Sequence, residues 1–249
     1  MQQITDSIWV ETNQRGSNHG LISTREGMVL IDGPQKPSDT LALRNEIEKR
    51  GQLEYILNTE PHGDHWTSNA FFDAPVVAHR GVRERMLETD MAAHVERVGT
   101  MGPGEAELIK GYQANTPVIT YETDMSLHVG DHTFRLINMP GHTPYQSAIL
   151  VEEEGVVFTS VNVFCGVQMW IQEGNPDHWL ASLEGLRGLS AETLVPGHGP
   201  VTGKSYLNEQ GGFINEWVDY VKDALDRGMT KDEAVESLTN LTDRYPMDI

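Results

Sequence analysis

A lone cysteine, Cys165, is the only thiol in this 249-residue chain, so no intrachain disulfide can staple it. Basic residues are also scarce: 18 Lys and Arg stand against 37 Asp and Glu, a formal charge of −19. No local basic patch interrupts this acidity, so a nucleic-acid backbone or an anionic membrane surface is repelled. No apolar run approaches the roughly 20 residues of a membrane span. The segment Met1 to Val10 has neither the basic start nor the apolar core of a signal peptide. These absences lead us to expect a cytoplasmic protein with no membrane or nucleic-acid partner. Low-complexity stretches, Pro/Ser linkers and fixed-period repeats are missing as well. Residues 1–249 therefore read as one domain, long enough to bury a real core.

Histidine and carboxylate are concentrated in one place. Residues 58–65 read Asn-Thr-Glu-Pro-His-Gly-Asp-His, so Glu60, His62, Asp64 and His65 put four potential metal ligands into six residues. A strand-like run, Leu53 to Asn58, leads into this loop. Pro61 and Gly63 bend the backbone, which frees the four side chains from strict strand alternation. Two further turns repeat the chemistry. Met139-Pro140-Gly141-His142 follows a strand ending near Asn138, and Pro196-Gly197-His198-Gly199 follows a strand at Thr193–Val195. A single histidine beside glycine is usually structural. Two Pro-Gly-His turns, each after a strand and accompanied by the first cluster, point to a shared metal site.

The intervening pattern supplies a scaffold. Ile8–Val10, Gly20–Ser23 and Met28–Asp32 read as strands, and Ser38–Arg50 as a helix with Ser38 as its N-cap and Gly51 as its stop. Pro75–Ala78 is a short strand and Gly81–Glu88 a helix. Residues 90–116 form a less regular helical excursion, a candidate lid. A second group of strands covers Val118–Tyr121, Met125–Val129, His132–Asn138, Ser147–Glu152 and Val156–Thr159, with Gly130-Asp131 as a hairpin turn. Helices are expected at Pro176–Leu189, Gly212–Arg227 and Lys231–Leu238, the last capped by Thr230. This alternation predicts an α/β fold: an αββα four-layer sandwich of two mixed sheets with helices on the outer faces.

With these motifs in view, the chain resembles the metallo-β-lactamase fold superfamily along nearly its whole length. The family's first motif is His-x-His-x-Asp-His; here it reads Glu60-x-His62-x-Asp64-His65. The later motif histidines fall on His142 and His198. The resemblance implies Glu60, His62 and His142 at one metal, and Asp64, His65 and His198 at the other. It also implies a bridging aspartate about twenty residues after His142, and by spacing and flanking residues that position is Val161. Valine cannot ligate, so one tightly bound ion is expected rather than two, with Asn162 as a conceivable weak substitute. The donor set suits Zn²⁺, with Fe²⁺ or Mn²⁺ as alternatives. Asp32 would brace the ligand loop. Trp66, Phe164 and Trp170 would line a pocket, and Tyr145 would donate a hydrogen bond to a developing oxyanion.

The function implied is a metal-dependent hydrolase of a small organic ester, lactone, thioester or amide. Asp64 would orient the attacking water or carry its proton. Two alternatives remain open at this point: a non-haem iron oxygenase on the same fold, or a non-catalytic binding protein. The partner expected is a small-molecule substrate, and a homodimer is compatible with the acidic surface.

Overall fold

In the computed structural model, the described residues are 1–238, 241 and 243–246. Seven strands form the first sheet: β1 (Gln2–Gln3), β2 (Ile8–Glu11), β3 (His19–Ser23), β4 (Met28–Ile31), β5 (Leu53–Leu57), β6 (Val76–His79) and β7 (Ile119–Tyr121), adjacent in chain order. It is antiparallel up to β4 and parallel from β4 to β7. The second sheet runs β13 (Thr202–Gly203), β12 (Thr193–His198), β11 (Val156–Phe164), β10 (Ser147–Val151), β9 (His132–Asn138), β8 (Asp124–Val129). Only the β11–β12 pair is parallel there.

The inner faces of the two sheets meet in an apolar layer. Ile8, Ile22, Val29, Ile31 and Leu57 from one sheet pack on Phe134, Leu136, Ile149 and Phe158 from the other. The outer face of the first sheet is covered by helix α1 (Pro37–Arg50), whose Leu43 and Ile47 sit on Leu21, Leu30 and Ile56. The outer face of the second sheet is covered by α6 (Pro176–Gly188) and α7 (Tyr206–Asp226), through Trp179, Leu183, Phe213 and Ile214. The expected αββα sandwich is therefore the observed one. The short helices α2 (Gly63–Trp66), α3 (Arg80–Glu88), α4 (Met91–Gly99), α5 (Glu105–Leu108) and α8 (Lys231–Glu236) complete it.

Several boundaries differ from the sequence reading, each for a physical reason. Helix α1 is capped at Lys36 with Pro37 at its first position, not at Ser38. Ser38 instead meets the Glu105 carboxylate, whose Oε2 accepts from the Ser38 N–H at 3.1 Å, so an anion from α5 satisfies the helix start. Helix α7 begins at Tyr206 rather than Gly212 and runs through Gly211 and Gly212. Burial of Leu207, Gln210, Phe213 and Ile214 offsets the poor helical propensity of that glycine pair. Strand β11 continues past Thr159 to Phe164, fully buried throughout, and β12 continues to His198. The Gly130-Asp131 turn joins β8 to β9 as expected, with Gly130 at φ 58°. Thr230 caps α8 through a reciprocal capping box with Glu233.

Candidate metal centre

Four segments from the same edge of the sandwich converge on one cavity. The loop after β5 brings Glu60, His62, Asp64 and His65. The loop after β9 brings His142, the end of β12 brings His198, and β11 brings Val161. The cavity measures about 710 Å³ and is lined by Glu60, His62, Asp64, His142, His198 and Val161, among others.

The six candidate ligands fall into two sets of three, Glu60–His62–His142 and Asp64–His65–His198, in each of which one donor atom per residue lies within 4.8 Å of the others. In the first set, His62 Nδ1 is 2.8 Å from Glu60 Oε1, and His142 Nε2 is 3.2 Å from His62 Nδ1. In the second, Asp64 Oδ2 is 3.8 Å from His65 Nε2 and 3.7 Å from His198 Nε2. The sets match those implied by the resemblance.

The imidazoles are aimed by their far nitrogens. His65 Nδ1 donates to Asp32 Oδ2 at 2.9 Å, and His198 Nδ1 lies 3.1 Å from the Gly16 carbonyl oxygen. In the neutral ring, each Nε2 then carries the lone pair, directed at the other ligands of its set. Asp32 is itself fixed, its Oδ1 accepting from the Thr59 N–H at 2.8 Å and its Oδ2 from the Thr59 hydroxyl at 2.6 Å. Three ligand-residue atoms, His142 Nδ1 and, at the centre, Glu60 Oε2 and His65 Nε2, are buried with no hydrogen-bond partner among the described residues. Buried polar atoms are normally satisfied, and a divalent cation would satisfy the Glu60 and His65 atoms. Donors of this chemistry, orphaned and convergent, fit a metal.

The electrostatics agree. Burial raises the Glu60 carboxyl, but the attraction of His62 and His65 outweighs it and holds the group well below the usual carboxylate range. Burial lowers His62 and His65, yet Glu60 lifts His62 to about 9, while Asp32 and Glu60 lift His65 to about 10. The anionic framework thus attracts positive charge into the cluster, as protons when nothing else is bound. His142 and His198 are lowered by burial, His198 to about 4, and present neutral imidazoles ready to ligate.

The family assignment now rests on the structure as well as the motif. The sequence model of the metallo-beta-lactamase superfamily matches residues 12–198. The chain belongs to that superfamily. Among curated relatives, it is 29% identical over 157 residues to hydroxyacylglutathione hydrolase from Methylococcus capsulatus, covering 60% of this chain and 49% of that one. It is 22% identical over 263 residues to the linear primary-alkylsulfatase of a Pseudomonas species, covering 88% of this chain and 49% of that one. The chain thus spans about half the length of these two relatives. Among solved structures, the inverting sec-alkylsulfatase Pisa1 from Pseudomonas superposes with a TM-score of 0.75 at 16% identity, over 97% of this chain and 46% of that one. A metallo-beta-lactamase from Pontibacter korlensis superposes at 0.69 and 18% identity, over 86% and 97%. At such identities the structural likeness establishes the fold.

The structure relocates some residues singled out from the sequence. Tyr145 lies outside the cavity lining: its ring stacks on His79, with centroids 5.7 Å apart, and covers Gly81. Its ring packs on β6 and α3 rather than lining the cavity where the expected oxyanion donor would stand. The Asn162 side-chain amide donates to the Met139 carbonyl at 2.8 Å, while its Oδ1 is buried against Gly141, beside His142, with no hydrogen-bond partner among the described residues. Asn162 does not line the cavity and belongs to neither three-residue ligand set. Trp66 is buried behind the loop, stacked on His94 and donating to the Pro61 carbonyl, so it supports the site without lining it. Phe164 and Trp170 do line the cavity, and Phe164 stacks on His198 with ring centroids 5.2 Å apart. Val161 lines it too, and is buried.

Sequence reasoning missed Arg15, Gln35, Arg97, Gln172 and Glu173, all in the cavity wall. Arg97, Thr100 and Met101 come from the 90–116 excursion, so that segment does form part of the wall. The available signal was a pair of arginines in an acidic chain, but nothing local tied them to the ligand loops.

Proposed function

We propose that this protein is a metal-dependent hydrolase of a small organic ester, lactone, thioester or amide. The observation that carries the reading is the pair of two-His-one-carboxylate sets opening onto one cavity. A divalent ion there, with Zn²⁺ favoured by the imidazole and carboxylate donors, would supply Lewis acidity and lower the pKa of bound water to about 7. Glu60, His62 and His142 would hold one position, and Asp64, His65 and His198 the other. Asp64, partly exposed at the cavity floor, orients the attacking water or takes its proton. Glu173, whose Oε1 is 3.5 Å from His62 Nε2, offers a second proton acceptor in the wall.

The wall also favours a substrate class. Arg15 and Arg97 face the cavity, and neither forms an ion pair among the described residues. Two guanidinium groups without a carboxylate partner, of which Arg97 Nη2 lies 3.3 Å from His94 Nδ1, stand beside Phe164, Trp170 and Met101 and suit an ester with an apolar body and an anionic substituent. Its hydrolase relatives, an alkylsulfatase and a hydroxyacylglutathione hydrolase, support the reaction type.

The test is turnover of a panel containing a thioester, a lactone, an alkyl sulfate and a β-lactam, before and after chelation. Activity lost on chelation and restored by metal supports the reading; unchanged turnover in metal-free protein overturns it. Each set also has the composition of a non-haem iron triad, so substrate-dependent oxygen uptake with iron bound would favour an oxygenase instead.

A further inference from the structure

The two ligand sets are not independent, because one carboxylate touches both. We propose that Glu60 is a shared carboxylate that joins the two sets into a single dinuclear centre, replacing from the opposite wall the bridge that Val161 cannot provide. This rests on the metal-dependent reading above, and it revises the sequence expectation of one tightly held ion.

The geometry is direct. Glu60 Oε1 lies 2.8 Å from His62 Nδ1, in its own set, and 3.2 Å from His65 Nε2, in the other. Glu60 Oε2 lies 3.9 Å from His142 Nε2 and has no hydrogen-bond partner. Glu60 and His65 are both fully buried. Without metal, protonated His62 and His65 offset the buried carboxylate, and two bound cations would take the place of those protons.

The wall opposite explains why the role falls to Glu60. Val161 is buried and its side chain is pressed against Gly197, where an added Cβ would come within 2.8 Å of Val161 Cγ2. No charge can come from there, and neighbouring Asn162 is neutral, its amide committed to the Met139 carbonyl. Histidine at position 60 could ligate through one nitrogen at a time. Glutamate offers two oxygens and a negative charge, so it can ligate in one set while lowering the repulsion between two cations. Asp64, held in the second set, supplies the other charge.

The experiment is metal titration of chelator-treated protein followed by elemental analysis, with Mn²⁺ also followed by electron paramagnetic resonance. Wild type is expected to hold two ions per chain and, with Mn²⁺, to show the signature of an exchange-coupled pair. Glu60→Gln, which keeps the shape and removes the charge, should bind the second ion about 100-fold more weakly or worse, at or beyond the upper end of the effects of outer-shell substitutions. Glu60→His should hold one ion, and Glu60→His with Val161→Asp should regain the second. Circular dichroism of each metal-free variant establishes that it is folded. Wild type binding a single ion, or Glu60→Gln retaining a coupled pair, overturns the shared carboxylate and leaves the hydrolase reading intact. Wild type binding no metal overturns both.

Discussion

Asp32 Oδ2 accepts a hydrogen bond from His65 Nδ1 at 2.9 Å, and does so from a backbone position with φ 53°, in the left-handed region. Few residues adopt that conformation readily, but Asp and Asn are among them. The strand end thus combines an unusual backbone with a carboxylate that fixes the tautomer and direction of a ligand imidazole. Asp32→Asn should keep the backbone and lose the charge. Metal affinity should fall about 10- to 100-fold, and the metal-free protein should also melt at a lower temperature, because buried, protonated His65 loses its charge partner. Competition with a chromophoric chelator measures it; unaltered affinity would remove Asp32 from the site.

Arg15 and Arg97 lead to a prediction about substrate choice. Replacing either by Gln should raise KM for an anionic ester about fivefold relative to a neutral ester of the same shape, equivalent to about 1 kcal/mol for one partly solvated charge-assisted contact. The preference should also weaken with added salt, as exposed charges are screened. Parallel kinetics on the matched esters at two ionic strengths decide the matter, and an equal change in both KM values would count against an anion site.

Gly199 shows how tightly the last ligand is held. Its φ is +86°, and a Cβ there would sit 1.8 Å from the Cys165 carbonyl oxygen. Relief requires moving β11 or the turn that follows His198. Gly199→Ala should therefore cost several kcal/mol, beyond the typical range for a surface substitution, and should release metal from the second set. Thermal melts with and without metal report both effects. A melting temperature within a degree or two of wild type would mean the turn can relax.

Acid sensitivity follows from His19. This side chain is buried in β3, and burial lowers its pKa from 6.5 to about 4, only partly opposed by Glu11. Above pH 6.5 it is neutral in both folded and unfolded chains. As pH falls below 6.5 the unfolded chain takes the proton first, so stability declines until about pH 4. The full effect is roughly 3 kcal/mol. Urea denaturation of wild type and His19→Asn at pH 7 and pH 5 isolates it, since ligand protonation affects both proteins alike. Identical losses of stability would exclude His19 as the source.

Much of this site could be read along the chain. The motif Glu60-x-His62-x-Asp64-His65 and the two Pro-Gly-His turns carry the family resemblance because ligand chemistry is encoded in short, local spacing. The strand and helix pattern likewise yields the sandwich, since hydrophobic periodicity reports which faces are covered. The departure at positions 60 and 161 is visible from residue identity alone.

Only the tertiary structure decided where those identities point. In β11, register shifts on both sides of Ser160 and its φ of 54° interrupt the regular ladder, and local pattern could not say that the Asn162 amide donates to the Met139 carbonyl. Tyr145 follows a ligand motif by three residues, yet packs on His79, 66 positions earlier in the chain and on the other sheet. Arg15 and Arg97 reach the cavity from segments with no motif of their own. Most of all, the sequence named Glu60 as a substituted ligand, but its approach to His65 depends on a bent loop and a buried carboxylate direction. Residue type sets what a side chain can bond to, and long-range packing sets which atoms it meets.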